Sequence, residues 1–134
     1  MKALLTILFS FSLLSGLSQN DPETVVQGSL DAYNNHDFDK FMSYFSDDIE
    51  MYELHEGEPS VKGIEEVRKR YKAYFDASPE LHSEIKNRMV FGNKVIDYEY
   101  ITGARGSKEP YELIFMYEVE DGKIVRTTAI RKEK

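Results

Sequence analysis

Residues 34–53 read NNHDFDKFMSYFSDDIEMYE, and the fold turns on where helix gives way to strand within them. Asp37 is a helix cap, because a short carboxylate ahead of an apolar run satisfies first-turn amides that have no carbonyl partner. Phe38, Phe41, Met42 and Phe45 then recur at helical spacing and predict an aromatic face lasting until Ser46-Asp47-Asp48. From Ile49 to His55 the period changes to two. A strand there puts Ile49, Met51, Glu53 and His55 on one face, with Tyr52 and Leu54 on the other. A carboxylate and an imidazole therefore end an otherwise apolar alternation.

Upstream, Asp21-Pro22-Glu23 starts a first helix with an Asp cap, Pro at the first helical position and an acid near the positive end. Its stripe is Val26, Leu30 and Tyr33. Downstream, Gly63 precedes a third helix carrying Ile64, Val67, Tyr71 and Tyr74/Phe75 on one side and ending before Pro79. Strands follow at 85–91 and 94–102 around the turn signal Gly92-Asn93, and at 111–119 and 124–131 around Asp121-Gly122. Strand 111–119 is apolar on both faces: Tyr111, Leu113, Phe115, Tyr117 and Val119 on one, Ile114 and Met116 on the other. A sheet with one wet face alternates more cleanly. The helices cover one face, and a second copy of the chain, in a homodimer, is the expected cover for the other.

Residues 1–18 read as a signal peptide. Lys2 is a charged n-region, residues 3–15 an apolar h-region, and Gly16-Leu17-Ser18 supplies small residues for cleavage. The expectation is an exported, periplasmic or secreted protein, with residues 19–134 as one domain. The run is short for a bilayer span of roughly 20 residues. The chain contains no Cys, which excludes disulfides and thiolate chemistry. A formal charge of −7 argues against nucleic acid and anionic membrane surfaces as partners.

The order helix, helix, strand, helix, then antiparallel strands resembles the nuclear transport factor 2-like superfamily, which includes ketosteroid isomerase-like and SnoaL-like polyketide cyclase proteins. Three stretches carry the resemblance: residues 34–53, PSVKGIEEVRKRY at 59–71 and FMYEVEDGKIVRTTAIR at 115–131. It implies an α+β fold in which a cone-shaped, curved antiparallel sheet wraps three helices around an apolar pocket. The family's fold serves catalysis and plain binding alike.

The resemblance places Glu53 where the isomerases keep a carboxylate base. A carboxylate walled by apolar groups is held above its usual pKa and can move a proton beside a carbonyl; ketosteroid isomerase itself works by that chemistry. His55 and Glu112 are its candidate acid or orienting partners, and Tyr33, Tyr71, Met51 and Met116 the candidate ligand-binding residues. The alternative is a solvated strand end, with Glu56 and Glu58 beyond. The resemblance also implies an oxyanion donor on the first helix, and that position holds Ser29 rather than Tyr.

His36, His55 and His82 lack metal-ligand spacing, and no cofactor fingerprint occurs. GARGSKEP, at 103–110, lies between strands and reads as a hairpin loop rather than a phosphate cradle. Two functions remain: a small-molecule pocket with isomerase- or cyclase-type acid–base chemistry, or a non-catalytic interaction domain whose cone is plugged by Phe and Met. A cavity of at least about 300 Å³ lined by Glu53 separates them.

Overall fold

The computed structural model describes residues 20–133; the signal peptide expected at 1–18 lies outside them. Two helices, α1 (Pro22–Asn34) and α2 (Phe38–Ser43), precede strand β1 (Phe45–Glu53) and the short β2 (Val61–Lys62). Helix α3 (Ile64–Asp76) follows, then β3 (His82–Phe91), β4 (Lys94–Thr102), β5 (Tyr111–Glu120) and β6 (Lys123–Arg131). The six strands form one open, curved sheet in the order β2-β1-β6-β5-β4-β3.

Local chemistry starts each helix as expected. The Asp21 carboxylate accepts from the Thr24 amide at 3.1 Å, with Pro22 in the first turn. Asp37 accepts from the Lys40 amide at 3.2 Å. The buried stripe of α1 is Val25, Val26, Ser29, Ala32 and Tyr33, so Ser29 is turned inside. Gly63 caps α3 with φ +85°, a conformation disfavoured for residues bearing a Cβ.

Helix α2 is shorter than its aromatic spacing predicts. The chain enters β1 at Phe45, which pairs with Ile124, and the Ile124 amide donates to the Tyr44 carbonyl at 2.8 Å. Cross-strand pairing with β6 overrides local helical periodicity here. The ladder is irregular between Phe45 and Glu50, where Asp47 and Asp48 stay exposed.

The sheet corrects one expectation: it is mixed rather than wholly antiparallel, because β1 runs parallel to β6. The chain between them, with α3 and four other strands, supplies the long crossover that a parallel pair needs. The other pairings are antiparallel. The β3–β4 and β5–β6 turns close at Gly92-Asn93 and Asp121-Gly122. Gly92, Asp121 and Gly122 all have positive φ, as tight hairpin turns require.

The inner face of the sheet packs against the helices. Ile49, Val95 and Ile124 are fully buried there, as is Val67 of α3. Alternation from Ile49 to Glu53 points the odd-numbered side chains inward, so Met51 is buried and Glu53 reaches the rim. On the outer face Tyr98 and Ile114, a cross-strand pair, remain more than one-third exposed.

Candidate functional site

A cavity of about 470 Å³ opens between α3, the β4–β5 loop and the inner faces of β1, β5 and β6. Met51, Tyr71, Phe115 and Ala129 form its apolar walls, and Glu53 lies in its lining. A recess of about 100 Å³ continues toward α1, sharing Tyr71, Tyr111, Phe115 and Arg131 with the main cavity. The recess is bounded by Ser29, Tyr33 and Glu99. The cone is hollow.

The loop GARGSKEP builds one side of the mouth. Gly103 is left-handed, and a Cβ there would lie 2.1 Å from the Glu80 carbonyl oxygen, so only glycine lets the loop pack this closely. Ser78 Oγ accepts from the Arg105 amide at 2.8 Å and pins the following turn. Ala104, Arg105, Ser107 and Glu109 thereby reach the cavity.

Glu53 is not walled by apolar groups alone. The Arg131 guanidinium donates to both its oxygens, Nε to Oε2 at 3.0 Å and Nη2 to Oε1 at 3.1 Å. Pairing at β1–β6 puts Glu53 opposite Ala129, two residues from Arg131 on the same face, which explains the meeting.

The other sequence candidates divide by face. Tyr71 lines both cavities and Tyr33 the recess, while Met51 lines the main cavity. Met116 is on the outer face of β5 instead, beside a shallow groove with His55. His55 is exposed in the turn after β1, with φ +73°. Glu112 also points outward, bonded to Lys132 and Tyr98. The structure does not bring His55, Glu112 or Met116 to the cavity. The reason is parity: even-numbered positions of β5 face away from the helices, and β1 ends before His55.

The carboxylate that the sequence reading missed is Glu99. It is 6% exposed and bounds the recess. Tyr117 Oη donates to its Oε1 and Ser83 Oγ to its Oε2, both at 2.9 Å. Burial strips hydration from the charged form and pushes its pKa up to about 7, with the nearby Asp97 charge adding to the rise. The two hydroxyl donors and Arg88 oppose that rise. Asp97, two residues earlier, takes a different partner: Arg88 donates to both its oxygens at 2.7 and 2.8 Å. A signal for Glu99 did exist. It pairs with Leu113 across β4–β5, so the apolar inner row of β5 fixes its direction.

Tyrosine hydroxyls supply the neutral donors. Tyr74 and Tyr111 share a hydrogen bond of 2.8 Å, and Tyr33 Oη lies 3.5 Å from Tyr74 Oη. Burial raises the pKa of Tyr33, Tyr71 and Tyr111, so each keeps its proton at neutral pH. Among the described residues no three His, Asp or Glu side chains converge as a metal site.

The comparisons agree with this architecture. A family model described as SnoaL-like domain matches residues 26–127. No functionally curated protein matches. A solved structure of an uncharacterized cystatin fold protein from Novosphingobium aromaticivorans is 31% identical, with TM-score 0.72 over 84% of this chain and 98% of that one. An NTF-2 like protein of unknown function from Burkholderia xenovorans is 18% identical, with TM-score 0.71, covering 89% of this chain and 88% of that one. A computationally designed 17-OHP binder reaches TM-score 0.74 at 14% identity over 86% of this chain and 93% of that one. The last two likenesses concern the fold alone. The matched segment runs from α1 into β6 and takes in both walls of the hollow cone, and the chain belongs to the SnoaL-like family of the nuclear transport factor 2-like superfamily.

Proposed function

We propose that this protein binds a small, largely apolar, ring-bearing molecule in the cone and carries out acid–base chemistry of the isomerase or cyclase type on it. The cavity carries this reading. Its volume of about 470 Å³ falls in the range of roughly 300–1,000 Å³ usual for small-molecule sites. A cone plugged by Phe and Met would leave no such space, which favours binding over the interaction-domain alternative. The likeness of the fold to a designed 17-OHP binder supports the same reading.

Within it, Glu99 is the proton carrier. A carboxyl group titrating near neutrality can take a proton from carbon beside a carbonyl and return it at a second position. Tyr71 and Tyr111, which wall both the recess and the main cavity, are the donors for the developing oxyanion. Glu53 accepts from Arg131 through both oxygens and acts at the mouth, where it holds that guanidinium in place. His55, Glu112 and Met116 take no part.

The test is a thermal-shift screen of ring-bearing ketones against the wild type and Ala129→Phe, a variant that fills the cavity from β6. Binding to the folded state raises the melting temperature. A rise in the wild type that the variant lacks is the expected result. No rise across the panel removes the reading.

Dimerisation and export each have their own support. The apolar outer-face pair Tyr98 and Ile114 favours cover by a second copy, because the neighbouring charges Glu112 and Lys132 already pair with each other. The leader at residues 1–18 supports export, and mass spectrometry of the mature N-terminus, with cleavage after Ser18, tests it.

A further inference from the structure

The lip of the cavity carries a charge opposite to that of the chain. The protein has a formal charge of −7. Its cavity lining nevertheless holds three arginines, Arg70, Arg105 and Arg131, against two carboxylates, Glu53 and Glu109. One positive charge is left over. Arg131 is engaged by Glu53.

The remaining two differ from the other arginines among the described residues. Six arginines occur in the sequence. Arg68 pairs with Asp39, Arg88 with Asp97, Arg126 with Glu118 and Arg131 with Glu53. Among the described residues, only Arg70 and Arg105 have no carboxylate within ion-pair distance. Both line the cavity, as does Tyr74. The Arg105 guanidinium carbon lies 5.5 Å over the Tyr74 ring. Arg70 precedes Tyr74 by one turn of α3. Chance placement on an acidic surface favours arginines with acidic neighbours, and the other four have them.

We propose that the ligand is an apolar monoanion, a ring-bearing carboxylate, with its hydrocarbon body in the cone and its carboxylate at the lip formed by Arg70 and Arg105. This rests on the cavity-binding reading above and adds the charge of the ligand to it. A guanidinium offers parallel N–H donors that match the two oxygens of a carboxylate. Low-dielectric walls focus the field of an uncompensated cation into the cavity mouth. The surplus of a single charge suits one negative charge rather than two.

The experiment uses biphenylcarboxylate and its neutral isostere biphenylcarboxamide, titrated calorimetrically into the mature protein and into Arg70→Gln/Arg105→Gln. Both arginines are exposed, and the melting temperature of the double variant checks that it folds. In the wild type the carboxylate binds about tenfold tighter than the amide, as expected for charge-assisted hydrogen bonds. Added salt weakens the carboxylate and leaves the amide unchanged. In the double variant the two affinities converge. Equal affinities in the wild type, or a preference that survives in the double variant, overturn the proposal while leaving cavity binding intact. Failure of both probes to bind overturns the two together.

Discussion

Tyr117 and Glu99 meet in the inner recess, hydroxyl to carboxylate, at 2.9 Å. Asp97 is on the same face of β4, two residues away, and is held by a guanidinium through both oxygens. Glu99 has hydroxyl donors only, from Tyr117 and Ser83. One strand thus presents two buried acids with different fates. One acid is paired with the Arg88 guanidinium; the other faces hydroxyls, and burial pushes its pKa up to about 7.

Stability therefore depends on pH through Glu99. Its pKa is about 7 when folded, against a reference value of 4.5. The folded state binds the extra proton, so this contribution is fully present below pH 4.5 and is lost as pH rises through 7. The swing is on the order of 3 kcal/mol. Glu99→Gln mimics the protonated form without titrating. It should melt close to the wild type at pH 5 and above it at pH 8. Parallel melting profiles for the two proteins would count against a buried, titrating Glu99.

Glu99 and Glu53 separate by kinetics. If a ketone bound in the cavity exchanges its α-hydrogens with deuterated solvent, NMR gives the rate for each variant. Glu99→Gln should slow the exchange by about 10²–10⁴-fold, the usual contribution of a positioned acid–base group. Glu53→Gln should slow it by less than about tenfold, because it disturbs the mouth and not the proton carrier. The reverse order would restore Glu53 as the base.

Thr127 offers a stability test independent of any ligand. It is 1% exposed on the inner face of β6, and its hydroxyl has no hydrogen-bond partner among the described residues. An unsatisfied buried hydroxyl carries a desolvation penalty that an isosteric methyl group lacks. Thr127→Val should raise unfolding free energy by about 1 kcal/mol in urea melts. A loss of stability instead would mean that the hydroxyl has a partner in solution.

The outer face predicts an assembly. With Tyr98 and Ile114 side by side across β4 and β5, light scattering on residues 19–134 should return twice the chain mass. Ile114→Glu puts a charge in the middle of that apolar pair and should give a monomer with an unchanged circular dichroism spectrum. A monomeric wild type would leave the outer face without a second copy.

Local signals carried much of the fold in the sequence. Asp21 and Asp37 cap helices because their side chains reach amides only three residues on. Gly92-Asn93 and Asp121-Gly122 define hairpins through backbone conformation alone. Long-range pairing was not legible in that way. The end of α2 is set by Phe45 meeting Ile124, and the parallel β1–β6 ladder joins segments far apart in the chain. The site was legible in half. Alternation from Ile49 correctly turned Glu53 toward the cavity, but nothing local announced Arg131 across the sheet. Glu99 was hidden because β4 places acids inward, at 97 and 99, and Ile96, Tyr98 and Tyr100 outward. By residue type alone, the middle of that strand, 96–100, reads inside out, although Val95 and Ile101 on either side are buried.

The most direct measurement is a fluorescence titration of residues 19–134 with N-phenylnaphthylamine, a neutral apolar probe that brightens when it leaves water. A hollow cone that binds apolar rings should give saturable enhancement at one probe per chain, and Ala129→Phe should abolish it. Enhancement that never saturates, or that is the same in the filled variant, would contradict a binding cavity between sheet and helices.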